Sequence, residues 1–289
     1  MSEFCIFQPG PVNNNKWPYD VRRSNAKRLQ SQTRADRNAG SKEIGMIVTI
    51  DGPAGAGKSS VAKKLADALG FAFLDTGAMY RCVTLQCLER GVDLNDAQSI
   101  VEVARNCKIE FHGKGVFANG IDVTDAIRDV AVSSAIKFIA DNTDVRELMV
   151  KAQQTWAVGK DAVTEGRDQG TVVFPAAECK IFLTASAEER AARRCRQLLA
   201  MNKEADYESI LAAQKERDQH DTSRPVGGLV AASDALHFST DTLSEDQVLE
   251  RLISIVRSRQ VALNPVERSQ TYPADCATQD EPEVGNGVA

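Results

Sequence analysis

The segment Gly52-Pro53-Ala54-Gly55-Ala56-Gly57-Lys58-Ser59 constrains this chain more than any other, because it fits G-x-x-x-x-G-K-[ST] between an apolar run and a helical pattern. Met46-Ile47-Val48-Thr49-Ile50 is apolar and β-branched, as a buried strand requires. After the glycines, Val61, Leu65 and Leu69 recur at four-residue spacing, and the pattern stops at Gly70. Strand, glycine-rich turn and helix in that order let backbone N–H groups wrap polyphosphate oxygens. The helix dipole favours the same anion, and Lys58 reaches toward the β and γ phosphates. Gly52, Pro53, Ala54, Gly55, Ala56, Gly57, Lys58, Ser59 and Ser60 are therefore the candidate nucleotide-phosphate contacts. Ser59 is the expected Mg²⁺ ligand and Ser60 could bond an α phosphate, with the division between the two serines left open. The bland alternative, an ordinary glycine turn, does not account for the strand before it and the helix after it.

Further strands are predicted at Phe71–Leu74, Ala162–Glu165, Lys180–Thr184 and Ala235–Ser239, with helical patterns between them. Alternating strands and helices imply an α/β fold, a five-stranded parallel sheet covered on both faces in three layers. A helix is expected from Thr76 to a stop at Gly91. Between Ile109 and Val123 the pattern changes to alternation around Asn119-Gly120, which predicts a small antiparallel hairpin inserted outside the main sheet. Glu188–Ala200 and Tyr207–Arg217 read as two charged helices, followed by a loop with Pro225, Gly227 and Gly228. Such a pair would suit a mobile lid over about 188–228.

Residues 1–45 are polar and rich in Asn, Arg, Ser and Gln, without hydrophobic periodicity, and 261–289 are loop-like, so both ends are expected to be disordered around an ordered 46–260. Met46 lies directly before the first strand, which raises the possibility that translation starts there. A net charge of −5 argues against general nucleic-acid binding, so any basic site must be local. No stretch is apolar enough to span a bilayer, and the N-terminus lacks the core of a secretory signal; a cytoplasmic protein with no membrane partner follows. The seven cysteines, from Cys5 to Cys276, form neither C-x-x-C pairs nor zinc spacings, in keeping with reduced, mostly buried thiols.

The strand ends carry the second half of the chemistry. Leu74-Asp75-Thr76-Gly77-Ala78-Met79-Tyr80-Arg81 places Thr76 and Arg81 at a strand-to-helix turn. Glu165-Gly166-Arg167-Asp168-Gln169-Gly170-Thr171 follows the third main strand. In an open parallel sheet both should face the crevice that holds Lys58; taken alone, Arg81 could equally be a surface arginine on an ordinary helix. Arg190, Arg193 and Arg194 fall at i, i+3 and i+4, hence on one helical face, though Glu188 and Glu189 beside them also fit a solvated charged surface. Arg217, Asp221 and Arg224 repeat the grouping. Phosphoryl transfer between two polyanions needs such a surplus of guanidinium groups. None of the three histidines, His112, His220 and His237, pairs with a nucleophile. A phosphate acceptor needs no general base, whereas a hydroxyl acceptor would.

Across 46–260 the chain resembles bacterial cytidylate kinase, a P-loop nucleoside monophosphate kinase. The motifs are the phosphate loop, 74–81, Gly-Arg-Asp-x-Gly-Thr (166–171), Lys-Ile-Phe-Leu-Thr-Ala-Ser-Ala-Glu-Glu-Arg (180–190), Lys-Glu-Arg-Asp-x-x-Asp (215–221) and Ser-Asp-Ala (233–235). The resemblance implies transfer of the γ-phosphate of ATP to CMP or dCMP with Mg²⁺, by a monomer with a monophosphate-binding insertion over about 76–160. It implies acceptor-phosphate contacts at Arg81 and Arg167 with Thr76 beside them, and cytosine contacts at Arg146 and Asp168. It also implies a ribose-contacting pair at Arg217 and Asp221, and a further nucleotide-side arginine at Arg224. Catalytic roles fall to Lys58 and to Arg190, Arg193 and Arg194 bracketing the transferring group. Two positions depart from the pattern: Lys137 stands where a serine usually touches cytosine, and Glu165 where Asp usually precedes Gly-Arg-Asp. A P-loop kinase of a non-nucleotide metabolite, and a non-catalytic nucleotide-binding protein, are the alternatives.

Overall fold

The computed structural model describes residues 45–263 except Lys114. The expectations for 1–44 and 264–289, with Cys5 and Cys276, lie outside the described residues. Five parallel strands form the main sheet in the order β2-β6-β1-β7-β8: β1 (Ile47–Asp51), β2 (Ala72–Asp75), β6 (Ala162–Gly166), β7 (Cys179–Thr184) and β8 (Leu236–Ser239). All five residues of β1 and all five of β6 are buried, as expected of central strands covered on both faces. β1 and β2 each end one residue later than their patterns predict, at Asp51 and Asp75, so a carboxylate closes both strands at the rim of the crevice.

Alternation along the strands divides the core. Val48, Ile50, Val163, Ile181 and Leu183 face α1 (Lys58–Leu69), through Val61 and Leu65, and α8 (Glu245–Leu263), through Val248, Leu252 and Val256. On the other face Leu74 meets Met79 and Val83 of α2 (Thr76–Glu89), and Ile100 of α3 (Ala97–Arg105). The same cluster takes Ile139 of α4 (Val130–Asp141) and Met149 of α5 (Thr143–Ala157). Each such side chain, buried from water, contributes about 2 kcal/mol.

The region predicted to hold one hairpin is a three-stranded antiparallel meander, β3 (Ile109–His112), β4 (Gly115–Ala118) and β5 (Ile121–Asp122). Asn119 and Gly120 make the β4–β5 turn with φ of 53° and 81°, as predicted. The difference is a second turn at Gly113 (φ 58°), which splits the alternating run 109–118 into two strands. This sheet packs on α2 through a cluster that includes Cys82, Leu85, Val116, Ala118 and Val123. The two charged helices are α6 (Ala187–Ala200) and α7 (Tyr207–Ser223), the second running six residues past its predicted end at Arg217.

Candidate active site

Among the described residues every α-helix except α1 starts on a side-chain cap: Asp75, Asp96, Asp129, Asn142, Ser186, Asp206 and Ser244 accept bonds from the first-turn N–H groups of α2 through α8. The N-cap of α1 is Gly57 (φ 89°), with no side-chain bond. Its first N–H groups are thus left for a ligand, and the dipole end stays uncompensated. Gly52 is required by close approach, because a Cβ there would lie 1.9 Å from the Leu183 carbonyl oxygen.

Lys58 is buried and its Nζ donates to the Pro53 carbonyl at 2.8 Å, so the ammonium folds back over the loop. Burial, then the charge of Arg167, brings its pKa down to about 7, against the opposing pull of Glu165 and Asp51. Ser59 Oγ donates to Glu165 Oε1 at 2.8 Å. Burial, followed by the neighbouring Asp75 charge, raises the Glu165 pKa. These two oxygen donors meet where α1 begins, and no group of three or more His, Cys, Asp or Glu suited to a metal occurs among the described residues. A sparse, all-oxygen set fits Mg²⁺, which keeps waters and borrows ligands from substrate phosphates, and does not fit zinc. Ser60 is exposed, and its hydroxyl is taken by Glu245 at the start of α8, which also pairs with Lys64 at 2.9 Å.

The acceptor side is built from separate segments. Thr76 Oγ1 donates to the Glu165 carbonyl at 2.6 Å. Arg81 Nη1 donates to the Ile127 carbonyl at 3.1 Å and Ser133 Oγ at 2.8 Å. Arg167 Nε donates to Asp221 Oδ2 at 2.9 Å, and the other Asp221 oxygen accepts from Arg224 Nη2 at 2.9 Å. Arg224 Nε continues to Asp141 at 2.8 Å. Burial alone would raise the Asp221 pKa; Arg167 and Arg224 outweigh it and hold the carboxyl below its usual range.

Arg146 and Asp168, both buried, form an ion pair, with Arg146 over the Tyr80 ring at 5.7 Å. The Gly227 carbonyl lies 3.4 Å from Arg146 Nη2, and a Cβ at Gly227 would fall 1.7 Å from that nitrogen. Only glycine lets the 225–228 loop close over this pair. Arg217 alone of the acceptor-side arginines has no hydrogen bond or ion pair among the described residues. Although Arg217 is solvent-accessible, desolvation and the charges of Arg167 and Arg81 lower its pKa. The charges of Arg167 and Arg217 both act on Lys58, and those of Arg167 and Arg81 act on Arg217, so the four cations form a chain of electrostatic neighbours.

The three arginines of α6 go three ways. Arg190 is buried, donating to the Ala54 carbonyl of the phosphate loop at 2.9 Å, and pairs in bidentate fashion with Asp218 of α7. Arg193 turns to Thr240 after β8, bonding its hydroxyl at 3.0 Å and its carbonyl at 2.8 Å. Arg194 is exposed, with only Gln197 at 3.5 Å. The reason is angular: at about 100° per residue, positions i+3 and i+4 flank position i by roughly 60° and 40° on opposite sides. Arg190 takes the centre and its neighbours are turned outward. Lys137 is exposed on α4, its ammonium 5.3 Å from the Phe138 ring centroid.

Asp51 and Asp141 bond residues of this site without having been noted in the sequence, and Asp218 and Tyr80 lay inside the quoted motifs without a role. Asp218 lies between the noted Arg217 and Asp221; Asp51 directly precedes the phosphate loop. No local signal marks Asp141, whose partner Arg224 is 83 residues away.

The cytidylate kinase family model matches residues 48–258. A cytidylate kinase of Rhodopirellula baltica is 50% identical over 212 residues, covering 73% of this chain and 93% of the relative. Those of Caldanaerobacter subterraneus subsp. tengcongensis and Geobacillus kaustophilus are 46% and 45% identical, each over 73% of this chain and 94% and 96% of their own lengths. With the phosphate loop, the strand-end arginines and helices α6 and α7 all inside the matched stretch, the chain belongs to the cytidylate kinase family.

Proposed function

We propose that this protein transfers the γ-phosphate of ATP to CMP or dCMP, giving ADP and CDP or dCDP. The observation that carries the reading is that Lys58 of the phosphate loop has Arg167 and Arg217 as electrostatic neighbours, with Arg81 acting on Arg217 and the buried Arg146–Asp168 pair following directly on Arg167. The phosphate loop, Gly52 through Ser60, takes the ATP phosphates. Arg81 and Arg167, with Thr76 beside them, take the acceptor phosphate, and Arg217 and Asp221 with Arg224 hold the ribose side. Bringing two polyanions into line is the main barrier, and fixed guanidinium groups lower it without reorganising at the moment of transfer. Ser59 and Glu165 would hold Mg²⁺, which when bound neutralises charge on the β and γ oxygens. Lys58, with Arg190 and, on lid closure, Arg193 and Arg194, stabilises charge on the group in flight.

Asp168 reads the base. A buried carboxylate accepts from the exocyclic amine of cytosine and meets a carbonyl oxygen in uracil, an unpaired contact worth about 1–3 kcal/mol of discrimination. The acceptor oxygen is already anionic at neutral pH, so no proton need be removed from it. Action in a reducing cytosol fits the free thiols of Cys82, Cys87, Cys107, Cys179 and Cys195; a monomer is part of the same proposal.

The test is ADP release with CMP, dCMP, UMP and AMP as acceptors. A kcat/KM for CMP or dCMP at least about tenfold above UMP is expected, and Asp168→Ala should erase most of that margin while sparing ATP affinity. Turnover with none of the monophosphates would end the proposal. Equal loss across all acceptors in Asp168→Ala would end the base-reading role.

A further inference from the structure

We propose that Asp51 is a positioning residue that sets the acceptor-binding residues Arg167 and Asp168 relative to the phosphate loop. The inference rests on the kinase reading above. Asp51 is the last residue of β1 and is buried; Gly52 opens the phosphate loop immediately after it. Its two carboxylate oxygens point to the other side of the cleft floor. Oδ1 accepts from the N–H of Gln169 at 2.9 Å and Oδ2 from the N–H of Gly170 at 2.8 Å, across 118 and 119 residues of chain.

Those two N–H groups begin the single π-helical turn Gln169–Val173, which has no side-chain cap from its own N-cap residue, Asp168. Asp51 supplies the cap from another strand. Arg167 and Asp168 are the two residues just before the anchored pair. Their side chains leave in different directions, Arg167 to Asp221 and Asp168 to Arg146. The anchor is therefore the nearest fixed point for both.

Gly170 shows that the contact is built. A Cβ there would stand 3.0 Å from Thr49 Oγ1, 3.2 Å from Lys180 Cδ and 3.4 Å from Asp51 Oδ2. These contacts are tighter than side chains ordinarily make, so a methyl here must push Thr49, Lys180 or the turn itself by a few tenths of an ångström, at the residue whose N–H reaches the carboxylate. Burial lifts the Asp51 pKa to about 6, with the Gly170 and Gln169 N–H groups pulling the other way, so both oxygens are available as acceptors at neutral pH. The charges facing it are Asp168 and Lys58. Because a displacement of about 1 Å at a reacting centre can cost on the order of a hundredfold, a cap at this point acts on acceptor binding and alignment.

Two substitutions approach the link from opposite sides. Asp51→Asn keeps the volume but turns an NH₂ toward one of the two amide donors; Gly170→Ala inserts the methyl. Both are expected to raise KM for CMP about tenfold or more, while the dissociation constant of a non-hydrolysable ATP analogue changes less than about threefold. Wild-type KM for CMP in either folded variant, or equal losses for CMP and the ATP analogue, would overturn the proposal. Should neither variant fold, amide exchange in the wild-type protein decides: Gln169 and Gly170 must be protected without ligand, and rapid exchange there refutes the anchor. Failure of the wild type to phosphorylate CMP would instead refute the kinase reading, and the two failures are distinguishable.

Discussion

The two halves of the cleft are made in opposite ways. The donor half is one contiguous stretch, Gly52–Ser60, whose binding groups are backbone N–H donors freed by glycine and by the missing cap on α1. The acceptor half is assembled from Arg81, Arg146, Arg167–Asp168 and the Arg217–Arg224 end of α7, most of them joined by ion pairs across 22 to 83 residues of chain. The first is contiguous in sequence, with Arg190 and Glu165 as its partners from elsewhere in the fold. The second exists only when the tertiary structure is complete, and three of its arginines, Arg146, Arg167 and Arg224, are held by carboxylates. The donor half is thus preorganised by covalent geometry and the acceptor half by electrostatics.

The largest effect expected is at the donor half. Lys58→Ala should lower kcat by at least about a thousandfold with circular dichroism unchanged, since a P-loop lysine acts on the transferring charge. A variant that retains turnover would break the contrast by showing that backbone donors suffice. Next comes the acceptor half: Arg217→Ala, which removes the acceptor-side guanidinium that has no hydrogen bond or ion pair among the described residues, should cost about a hundredfold in kcat/KM. Arg194→Ala, at the surface, should cost less than about tenfold; a reversed order in steady-state kinetics would show that lid closure rearranges the cluster more than this structure implies.

The smallest effect is on stability. Asp221 has a folded pKa below its unfolded value of about 3.9, so its contribution is complete above that pH and is lost as pH falls through the folded value. Asp221→Asn should therefore be less stable than wild type by about 1–3 kcal/mol at pH 7. The gap should narrow below pH 4 in thermal melts. A gap independent of pH would mean that the Arg167–Asp221–Arg224 chain is held by shape and not by charge.

What could be read in the sequence follows the same division. The phosphate loop, its strand and its helix were legible because every determinant lies within Met46–Gly70, and buried β-branched runs marked the central strands. Residue types on the acceptor side were legible at Arg81, Arg167 and Asp168, but their partners were not. The Asp51 cap on Gln169 and Gly170, and the Asp141 bond to Arg224, join residues that no local pattern relates. The single helical face expected for Arg190, Arg193 and Arg194 dissolved into three directions, because an arc of roughly 100° is wider than one ligand. Arg167 is an electrostatic neighbour of Lys58, whereas Arg194 is exposed with only Gln197 beside it.

Arg190 deserves its place at the root of α6 for a mechanical reason. Its guanidinium is tied at once to the Ala54 carbonyl and to Asp218, so the start of α6 is pinned to the phosphate loop and to α7. The ten residues from there to Ala200 form an arm of about 15 Å, so a tilt of 10° about the pin carries its tip by roughly 3 Å. Arg194 sits about 6 Å along that arm, where the same tilt moves it by only about 1 Å, so the direction in which it leaves the helix, and not the tilt, sets its distance from the phosphate loop.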